Sequence, residues 1–561
     1  MRKTAWILSV ILIIIHAVLF VWTIRENSFE GKAGRYYLLA DDAMISMAYA
    51  QNLVHGNGLV WQPGDRVMGI TNPGWSLILA VTQLIDLPSH KACLPAIALN
   101  GLINLVVILV VLFTAKNRFG LPGTLFSTFA ISVSLPLIFW SSNGFETPLQ
   151  TAFIALALVP FVPGHTKGGN PVLSPVLLAI AAVVRPDAIL LFCLLSLALS
   201  LPGISYSERF RRRLIPVIAG AIIIAAMFII QKVYYGEWLP NAFQLKIAGG
   251  SRNLLFGLLY VADWLFKDGA WPVVALSIVG LVAWIADNES RRKALTLSAI
   301  TVIWICYVVW TGGDAFPHAR FLLPIIPIIS IAAGFGFDYL WHKWFGAIPL
   351  KRNANCWQVV RELALVAIIL CAVGFAVAPL KTALEGPDPN RVDRVRVAET
   401  FASANLPPET KIALFEAGTI PYLLPEFRYL DLLGKNDQYI ASTEAKPGLI
   451  GHNKWDFGYS LGELKPDIIV GTANYMMFTD ESAKKYLDGT KDIERGEALF
   501  AAALWIDSIF KKKYRDNRIR IVTSYGTHWT YAREGANIGN LKTFGEYFGR
   551  KETQIKRLES E

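Results

Sequence analysis

Residues 38–75 read LLADDAMISMAYAQNLVHGNGLVWQPGDRVMGITNPGW. The stretch follows the first apolar segment and carries two adjacent acids, Asp41 and Asp42, at the predicted start of a short helix. A loop rich in glycine and proline comes next, with Trp61 and Trp75 as aromatic anchors. Acidic side chains at a membrane edge are costly unless a partner or a substrate uses them. The acid pair is therefore the first candidate for chemistry.

The composition is that of a membrane protein. Of the 561 residues, 54% are hydrophobic and only 17% are charged, below the roughly 25% of soluble domains. The mean hydropathy is +0.42. Together with long apolar runs, these values predict a chain that crosses the membrane several times and exclude an ordinary soluble globular protein.

The basic residues and the cysteines narrow the class further. The formal net charge is +10, but the basic clusters at 116–118, 209–213 and 291–293 lie in short loops between apolar runs. This pattern is typical of cytoplasmic loops, so the charge indicates topology and not nucleic-acid binding. The five cysteines lie in or beside apolar runs without a CxxC pair, which argues against a disulfide framework or a zinc site.

The chain is predicted to contain about eleven transmembrane helices. Arg2 and Lys3 place the N-terminus in the cytoplasm, and the first apolar run is long enough to be a retained anchor. If residues 74–88 crossed the membrane, the basic cluster 116–118 would lie outside, so we interpret them as a juxtamembrane helix. The predicted spans cover residues 4–23, 93–114, 121–140, 148–163, 171–185, 187–203, 214–231, 271–287, 294–311, 319–338 and 362–380.

Two domains are predicted on this basis. Residues 1–381 form a transmembrane catalytic domain in the inner (plasma) membrane, with residues 24–92 as a first outer loop. Residues 382–561 alternate strand-like and helix-like pieces, which predicts an α/β soluble domain. It lies on the extracytoplasmic side because an odd number of spans precedes it. Its segments 416–437 and 451–470 could bind glycan, although a packed core predicts much the same residues.

Four further polar motifs fall on the outer side by this topology. Their charged residues are Glu146, Arg185, Asp187, Glu237, Lys246, Asp314, His318 and Arg320. Cations at the ends of spans suit a lipid phosphate, and the competing interpretation is snorkelling towards headgroups. The acids could bind sugar hydroxyls, hold a cation or pair with the cations, and Asp187 beside Arg185 could be a structural ion pair. Trp61 could stack on a sugar, although interfacial tryptophans are the common case.

For the acid pair itself, two interpretations compete. A carboxylate base must lie within hydrogen-bonding reach of the proton that it takes, and two adjacent acids tune one another's pKa. The alternative is an N-cap for the helix that begins near Ala43, which aspartate does well. Because capping explains one acid and not two, the pattern favours a function for the pair.

Several of these motifs resemble those of the GT-C glycosyltransferases. The stretch from Asp41 to Trp75, together with NGFETPL, RPD, LPNAFQLK, GGDAFPHARFLLP and AGTIPYLL…YLDLLGKND, is similar to the arabinofuranosyltransferase branch. The similarity runs from the first outer loop into the predicted soluble domain. This sequence departs from the family pattern at two places. The helix of the first loop reads MAYAQNL, without the arginine expected there, and the later motif reads HARF where relatives carry an aromatic residue or glycine. The resemblance therefore does not determine the donor sugar or the acceptor.

The resemblance implies a membrane-bound reaction on a lipid-linked sugar. The enzyme would transfer a sugar from a polyprenyl-phosphate donor, with inversion, to an acceptor hydroxyl on the outer face. Similarity to this branch implies that the sugar is D-arabinofuranose. The acceptor would be a cell-envelope glycan, pilin or another protein. Asp41 or Asp42 is the implied general base, with Asp41 preferred. The implied phosphate-binding residues are Arg185, Lys246, His318 and Arg320. The implied substrate-binding residues are Glu146, Asp187, Glu237, Asn241, Asp314 and Trp61.

These motifs identify no certain cofactor. A divalent cation is possible, and Asp42 and Glu146 would then be its ligands. The expected partners are the lipid-linked donor, the acceptor and the bilayer. The alternative function is a lipid-linked sugar transporter or flippase, which should carry charges at the bilayer midplane and inverted repeats. The polar motifs gather instead on one outer face. A non-catalytic assembly subunit gives no reason for acids and cations to converge.

Overall fold

The structure is a computed structural model that describes most of the chain. The described residues are 2–164, 171–200, 208–246, 250–314, 316–345, 386–446, 451–471, 478–488, 496–522 and 527–541, with scattered positions between 363 and 381.

The first part of the chain is helical. Its helices are α1 (Arg2–Asn27), α2 (Asp41–Val54), α3 (Pro73–Gln83), α4 (Leu94–Lys116), α5 (Leu121–Ser132), α6 (Leu135–Ser142), α7 (Thr147–Leu158), α8 (Ser174–Val184), α9 (Ile189–Ser200), α10 (Glu208–Tyr235), α11 (Asn241–Lys246), α12 (Gly250–Phe266), α13 (Trp271–Ala286), α14 (Arg291–Trp310) and α15 (Ile326–Phe345). A short antiparallel hairpin, β1 (Phe29–Gly31) and β2 (Gly34–Tyr36), follows α1. Helices α3 to α8 each have a proline in the first turn, where the missing N–H of proline costs no hydrogen bond.

Among the described residues, six helices are long and apolar enough to cross a membrane. They are Trp6–Asn27, Leu94–Lys116, Leu121–Ser142, Leu214–Tyr235, Arg291–Trp310 and Arg320–Trp344. A seventh candidate is the pair Asn253–Phe266 and Trp271–Ala286, which is bent by 96°. The helices found where spans were predicted at 148–163, 171–185 and 187–203 are shorter, and the span predicted at 362–380 lies largely outside the described residues.

Helix α12 was not predicted. Arg252 and Asp263 shorten its apolar run to less than a membrane span needs, so the segment was interpreted as part of an outer loop. In the structure one face carries exposed Leu254 and Leu258, while Tyr260 and Trp264 on the other face are buried. Helix α3, by contrast, lies within the predicted juxtamembrane segment, and its 11 residues are too few to span a bilayer.

The last part of the chain contains a five-stranded sheet. Its strands are β3 (Lys411–Leu414), β4 (Arg428–Asp431), β5 (Ile468–Val470), β6 (Arg518–Val522) and β7 (Thr527–Ala532), in the order β4-β3-β5-β7-β6. Strand β3 pairs in parallel with β4 and β5, and β7 pairs antiparallel with β5 and β6. The helices here are α16 (Pro389–Ser403), α17 (Thr419–Leu423), α18 (Gln438–Ser442), α19 (Asp480–Asp488), α20 (Gly496–Ile506) and α21 (Ser508–Lys513).

The side chains of β3 point alternately into two hydrophobic clusters. Ile412 and Leu414 belong to one continuous buried cluster with Leu39 and Tyr49 of the first outer loop. Ala413, on the opposite face, packs in a second cluster that contains residues of α20 and α21. The sheet therefore rests directly on the loop that carries the two acids, and the predicted boundary at residue 381 does not separate two hydrophobic cores.

Candidate active site

Asp41 is tied to the turn before α17. Its carboxylate accepts hydrogen bonds from the backbone N–H of Gly418 at 3.1 Å, and from the backbone N–H and hydroxyl of Thr419, both at 2.9 Å. The Arg394 guanidinium lies 3.7 Å away. The N-cap of α2 is Ala40, without a side-chain cap, so neither acid caps the helix as the alternative interpretation expected. Both oxygens of Asp41 thus serve to join the first outer loop to the C-terminal part.

Asp42 has a different environment. Lys435 donates a hydrogen bond to Oδ1, and no donor among the described residues reaches Oδ2. The side chain is 27% exposed. Burial alone raises the pKa of Asp42, but the charges of Lys435 and then Arg320 outweigh it and hold this pKa well below its usual range. Asp42 is therefore ionised, close to two cations and open on one oxygen.

Lys435 is positioned by the turn that contains it. The buried Asp431 carboxylate accepts hydrogen bonds from the backbone N–H groups of Leu433, Gly434 and Asn436 at 2.9, 3.1 and 2.7 Å. Gly434 takes φ +82°, which glycine adopts without the steric penalty of a side chain. This arrangement folds the DLLGKND motif into a tight turn with Lys435 directed at Asp42.

A closed ion-pair network lies beside α7. Arg185 contacts Glu146 through Nη1 at 2.6 Å and Asp187 through Nε at 2.7 Å. Asn72 donates to the second Glu146 oxygen at 2.9 Å, and Gln150 donates to Asp187. These three charged side chains are at most 12% exposed. The structural ion pair considered for Asp187 and Arg185 is therefore present, and it includes Glu146.

Arg320 is enclosed by aromatic rings. Its Nε lies 2.7 Å from a carboxylate oxygen of Asp314. The guanidinium carbon lies 4.4 to 5.3 Å from the ring centres of Phe145, Phe321, Trp140 and Phe316. The preceding residues, His318 and Ala319, have φ of 58° and 48°, in the left-handed region that non-glycine residues rarely adopt. Such local strain is common at functional sites.

Lys246 completes a group of three cations around one ring. Its Nζ lies 4.7 Å from the Phe321 ring centre, where the guanidinium carbons of Arg185 and Arg320 lie at 4.4 and 5.2 Å. Among the described residues Lys246 has no ion pair. Burial lowers the pKa of Lys246 to about 8, with Asp314 opposing this shift and Arg320 adding to it. Three converging cations form an anion-attracting site.

Helix α11 connects this cation group to the Lys435 turn. Asn241, at the start of the helix, is buried and donates from Nδ2 to the Gly434 carbonyl at 3.2 Å. Its backbone N–H donates to the Met68 carbonyl at 3.0 Å. Asn241 therefore links the helix that ends at Lys246 to the turn that holds Lys435, so the structure places it as a support and not in contact with the cations.

Three other candidates form no hydrogen bond or ion pair with this cluster within the described residues. His318 pairs with Asp268 at 2.9 Å. Trp61 is 4% exposed and donates to the Ala417 carbonyl at 2.9 Å, so its ring joins the two parts of the chain. Glu237 lies in the turn after α10 and has no ion pair within the described ranges. The structure thus brings together Asp42, Glu146, Arg185, Asp187, Lys246, Asp314 and Arg320.

An apolar cavity of about 530 Å³ lies among the membrane helices near this cluster. Its lining includes Phe129, Leu135, Trp264, Val273, Ile329 and Trp341. It follows α15 from Ile326 to Trp344, roughly 27 Å at 1.5 Å per residue. Its wall includes Asp268, the partner of His318, and the His318 carbonyl accepts a hydrogen bond from Trp140 at 2.6 Å. Trp140 also faces Arg320, so His318 and Trp140 connect Asp268 on the cavity wall to the nearest cation.

The carboxylates of the cluster are paired with cations. Among the described residues no three His, Cys, Asp or Glu side chains group as metal ligands. Asp42 contacts Lys435 and Glu146 contacts Arg185. The possible role of Asp42 and Glu146 as ligands of a divalent cation stays a hypothesis.

Three charged residues near the acids were missed from the sequence. Lys435 contacts Asp42, and Arg394 pairs with Glu416 beside Asp41. The DLLGKND motif was noticed, but nothing local shows that its lysine returns to a residue 393 positions earlier. Arg394 lies in α16, which contains many polar residues, as an exposed helix does, so the sequence did not mark this arginine as a site residue.

The family of the chain follows from its middle part. Residues 76–384, more than half of the chain, match the Alg9-like mannosyltransferase family. The chain belongs to this family. Residues 389–533, which contain the Lys435 turn and the sheet, match a domain of unknown function (DUF8728). The expected glycosyltransferase resemblance is confirmed.

Two curated relatives are similar over much of this region. They are the terminal β-(1→2)-arabinofuranosyltransferases of Mycobacterium tuberculosis, 27% identical over 360 residues, and of Corynebacterium glutamicum, 25% identical over 360 residues. Each match covers 57% of this chain and 54% or 51% of the relative. The chain thus spans about half the length of the curated relatives that it matches.

Solved structures agree on the fold. ArnT from Cupriavidus metallidurans, in the apo state, has a TM-score of 0.55 at 15% identity and covers 95% of this chain and 98% of its own. The oligosaccharyltransferase AglB from Archaeoglobus fulgidus has a TM-score of 0.52 at 12% identity and covers 95% of this chain and 74% of its own. This Alg9-like protein has a helical, GT-C-like fold with several helices that are long and apolar enough to span a membrane. The likenesses do not favour the transporter alternative.

Proposed function

We propose that this protein transfers D-arabinofuranose, with inversion, from a polyprenyl-phosphate donor to an acceptor hydroxyl of a cell-envelope glycan. The observation that carries the proposal is the convergence of Arg185, Lys246 and Arg320 on the Phe321 ring beside the carboxylate of Asp42. The names of the curated relatives support the sugar. The ArnT structure with undecaprenyl phosphate and the AglB structure with dolichol phosphate support the kind of lipid.

The cations hold the donor phosphate. Arg185 and Arg320 each have carboxylate partners, whereas Lys246 has none among the described residues and is the cation most available to a new anion. A phosphate accepts charge-assisted hydrogen bonds from such groups. The same bonds stabilise the negative charge that develops on the phosphate as the sugar departs.

Asp42 is the general base, in place of the Asp41 preferred from the sequence. Asp41 uses both oxygens on Gly418 and Thr419, whereas Asp42 leaves Oδ2 open. When the donor phosphate neutralises Arg320, the pKa of Asp42 rises towards its usual value, which improves its basicity. Asp42 then takes the acceptor proton as the acceptor oxygen bonds to the anomeric carbon and the bond from that carbon to the phosphate oxygen breaks.

The lipid chain of the donor occupies the apolar cavity along α15. Its length and apolar lining suit an isoprenoid, and its wall residue Asp268 is connected to Arg320 through His318 and Trp140. In this arrangement the N-terminus is cytoplasmic and the C-terminal sheet is extracytoplasmic, in an inner (plasma) membrane. The three shorter apolar helices, with the span predicted from the sequence at 362–380, then bring the number of spans to about eleven.

The test is donor turnover by the purified full-length protein. A panel of polyprenyl-phospho-sugars is supplied with an arabinofuranosyl oligosaccharide, and released polyprenyl phosphate is measured. The arabinofuranosyl donor should be consumed, and Asp42→Asn should abolish its consumption while Asp65→Asn, on the same loop, should not. Release from no donor by a correctly folded protein contradicts the proposal.

A further inference from the structure

We propose that a cleft beside α18 is a subsite for the distal sugars of an extended, neutral acceptor glycan. The inference rests on the proposed function, because it concerns the acceptor of the same transfer. The cleft has a volume of about 480 Å³. Its polar lining consists of Thr443, Glu444, Lys446, Asp456 and Asp507, with Trp455 and Phe457 among its apolar residues.

Two chain segments lead from Asp42 to this cleft. The first starts at Lys435, the partner of Asp42, and continues through the five residues of α18 to Thr443 on the cleft wall. Five helical residues rise only ~7 Å. The second starts at His452, whose charge contributes to the low pKa of Asp42, and reaches the cleft at Trp455. The cleft therefore lies within the reach of an oligosaccharide whose end is at Asp42.

The two segments are joined by hydrogen bonds. The backbone N–H of Lys446 donates to the Asn453 carbonyl at 2.8 Å, and Asn453 Nδ2 donates back to the Lys446 carbonyl at 2.7 Å. Lys454 Nζ donates to the Ala441 carbonyl at 2.8 Å. These bonds make the cleft a formed feature whose distance from Asp42 is set by the fold.

An exposed aromatic ring lies next to Asp456, one of the residues that line the cleft. Tyr439 is 49% exposed, its ring centre lies 4.3 Å from that of Tyr459, and its hydroxyl donates to Asp456 Oδ2 at 3.2 Å. Asp437, two residues after Lys435, accepts a hydrogen bond from the Tyr459 hydroxyl at 3.3 Å. A ring face flanked by carboxylates suits a sugar, since the ring contacts its C–H groups and the carboxylates accept from its hydroxyls.

The charges of the cleft select against an anionic ligand. Glu444, Asp456 and Asp507 line it together with one cation, Lys446, and the Lys446 ammonium donates to the Trp455 carbonyl. A phosphorylated or uronic-acid glycan would meet an excess of negative charge. The ligand class is therefore a neutral oligosaccharide, and its terminal hydroxyl reaches Asp42.

Tyr439→Ala in the full-length protein tests the subsite. An arabinofuranosyl disaccharide and hexasaccharide serve both as acceptors and as binding probes. The variant should raise the KM and the Kd for the hexasaccharide about tenfold, near 1.4 kcal/mol, without changing the kcat or the KM for the disaccharide. Tyr439→Phe keeps the ring and should stay near wild type for both.

Tyr339→Ala is the matched control. Tyr339 has a similar exposure of 46% and lies in the last part of α15, far from Arg320. An equal loss for both acceptors, or no change for either, overturns the subsite. If the wild type binds the hexasaccharide through Tyr439 but transfers no sugar, the subsite stands and the proposed transfer falls. If transfer to the disaccharide proceeds and Tyr439→Ala changes nothing, the subsite alone falls.

Discussion

Lys435 donates a hydrogen bond to Asp42 across 393 residues of sequence. The contact joins the DUF8728 region to the first outer loop and lies beside the cations at Phe321. The C-terminal region is thus a structural part of the candidate active site, and its removal should eliminate the partner that keeps Asp42 ionised.

Lys435→Met should lower the rate of transfer about 10²-fold, because Asp42 loses the group that orients it. Without this cation the pKa of Asp42 rises, so the acid limb of the pH profile of kcat/KM should move to higher pH. Lys435→Arg keeps the charge and should leave that limb near its wild-type position. A profile for Lys435→Met that falls uniformly, without a shift of its limb, contradicts the pairing.

Lys246 should make donor binding depend on pH near 8. Its ammonium is charged below its pKa of about 8, so kcat/KM for the donor should fall as the pH rises through this value. Lys246→Arg remains charged and should remove the fall. Lys246→Met should raise the donor KM roughly 10- to 100-fold at neutral pH, as expected for the loss of a charged hydrogen bond. An unchanged donor KM removes Lys246 from the phosphate site.

The hydrogen bond between Asp41 and Gly418 should contribute more to the stability of the fold than to the rate of transfer. A Cβ at Gly418 would lie 2.0 Å from the Asp41 carbonyl oxygen, so Gly418→Ala should lower the free energy of unfolding by about 1–3 kcal/mol. Asp41→Asn weakens three accepted hydrogen bonds and should have a similar effect. Thermal unfolding in detergent measures both. Loss of transfer at unchanged Tm in Asp41→Asn would return the role of base to Asp41.

Chelation should leave transfer unchanged. Lys435 and Arg185 already neutralise Asp42 and Glu146, the two acids predicted from the sequence as ligands of a divalent cation. The measurement is the rate after dialysis against a chelator, with added Mg²⁺ or Mn²⁺ as the comparison. A loss that either ion restores supports the metal site and contradicts the ion pairs as the resting arrangement.

Local patterns were enough to predict the helical membrane part and most of the charged cluster. The apolar runs, the prolines that interrupt them and the basic loops can each be recognised in a short stretch of sequence. Charged residues next to an apolar run, such as Arg185, Lys246 and Arg320, are easily identified in the same way. Their meeting at Phe321 required only that the ends of the helices that carry them lie together. The amphipathic helix α12 was missed because its charges interrupt the apolar run that marks a membrane helix.

The roles of individual residues depend on contacts between segments that are far apart in the sequence, and local patterns do not predict such contacts. Asp41 and Asp42 are adjacent residues with the same side chain, so the sequence cannot distinguish their roles. In the structure Gly418 binds the carboxylate of Asp41, whereas Lys435 binds one oxygen of Asp42 and leaves the other open. Trp61 resembles a stacking residue in sequence, yet its indole joins the loop to Ala417. Such assignments depend on tertiary pairing of the first outer loop with the sheet.

The most direct test of the central claim compares Asp42→Asn with Asp41→Asn in a single-turnover assay of polyprenyl phosphate release from the arabinofuranosyl donor. Asp42→Asn should lose at least about 10²-fold in rate at unchanged Tm, as expected for removal of a general base. Asp41→Asn should keep the rate of its folded fraction while its Tm falls. Wild-type release by Asp42→Asn would contradict the account.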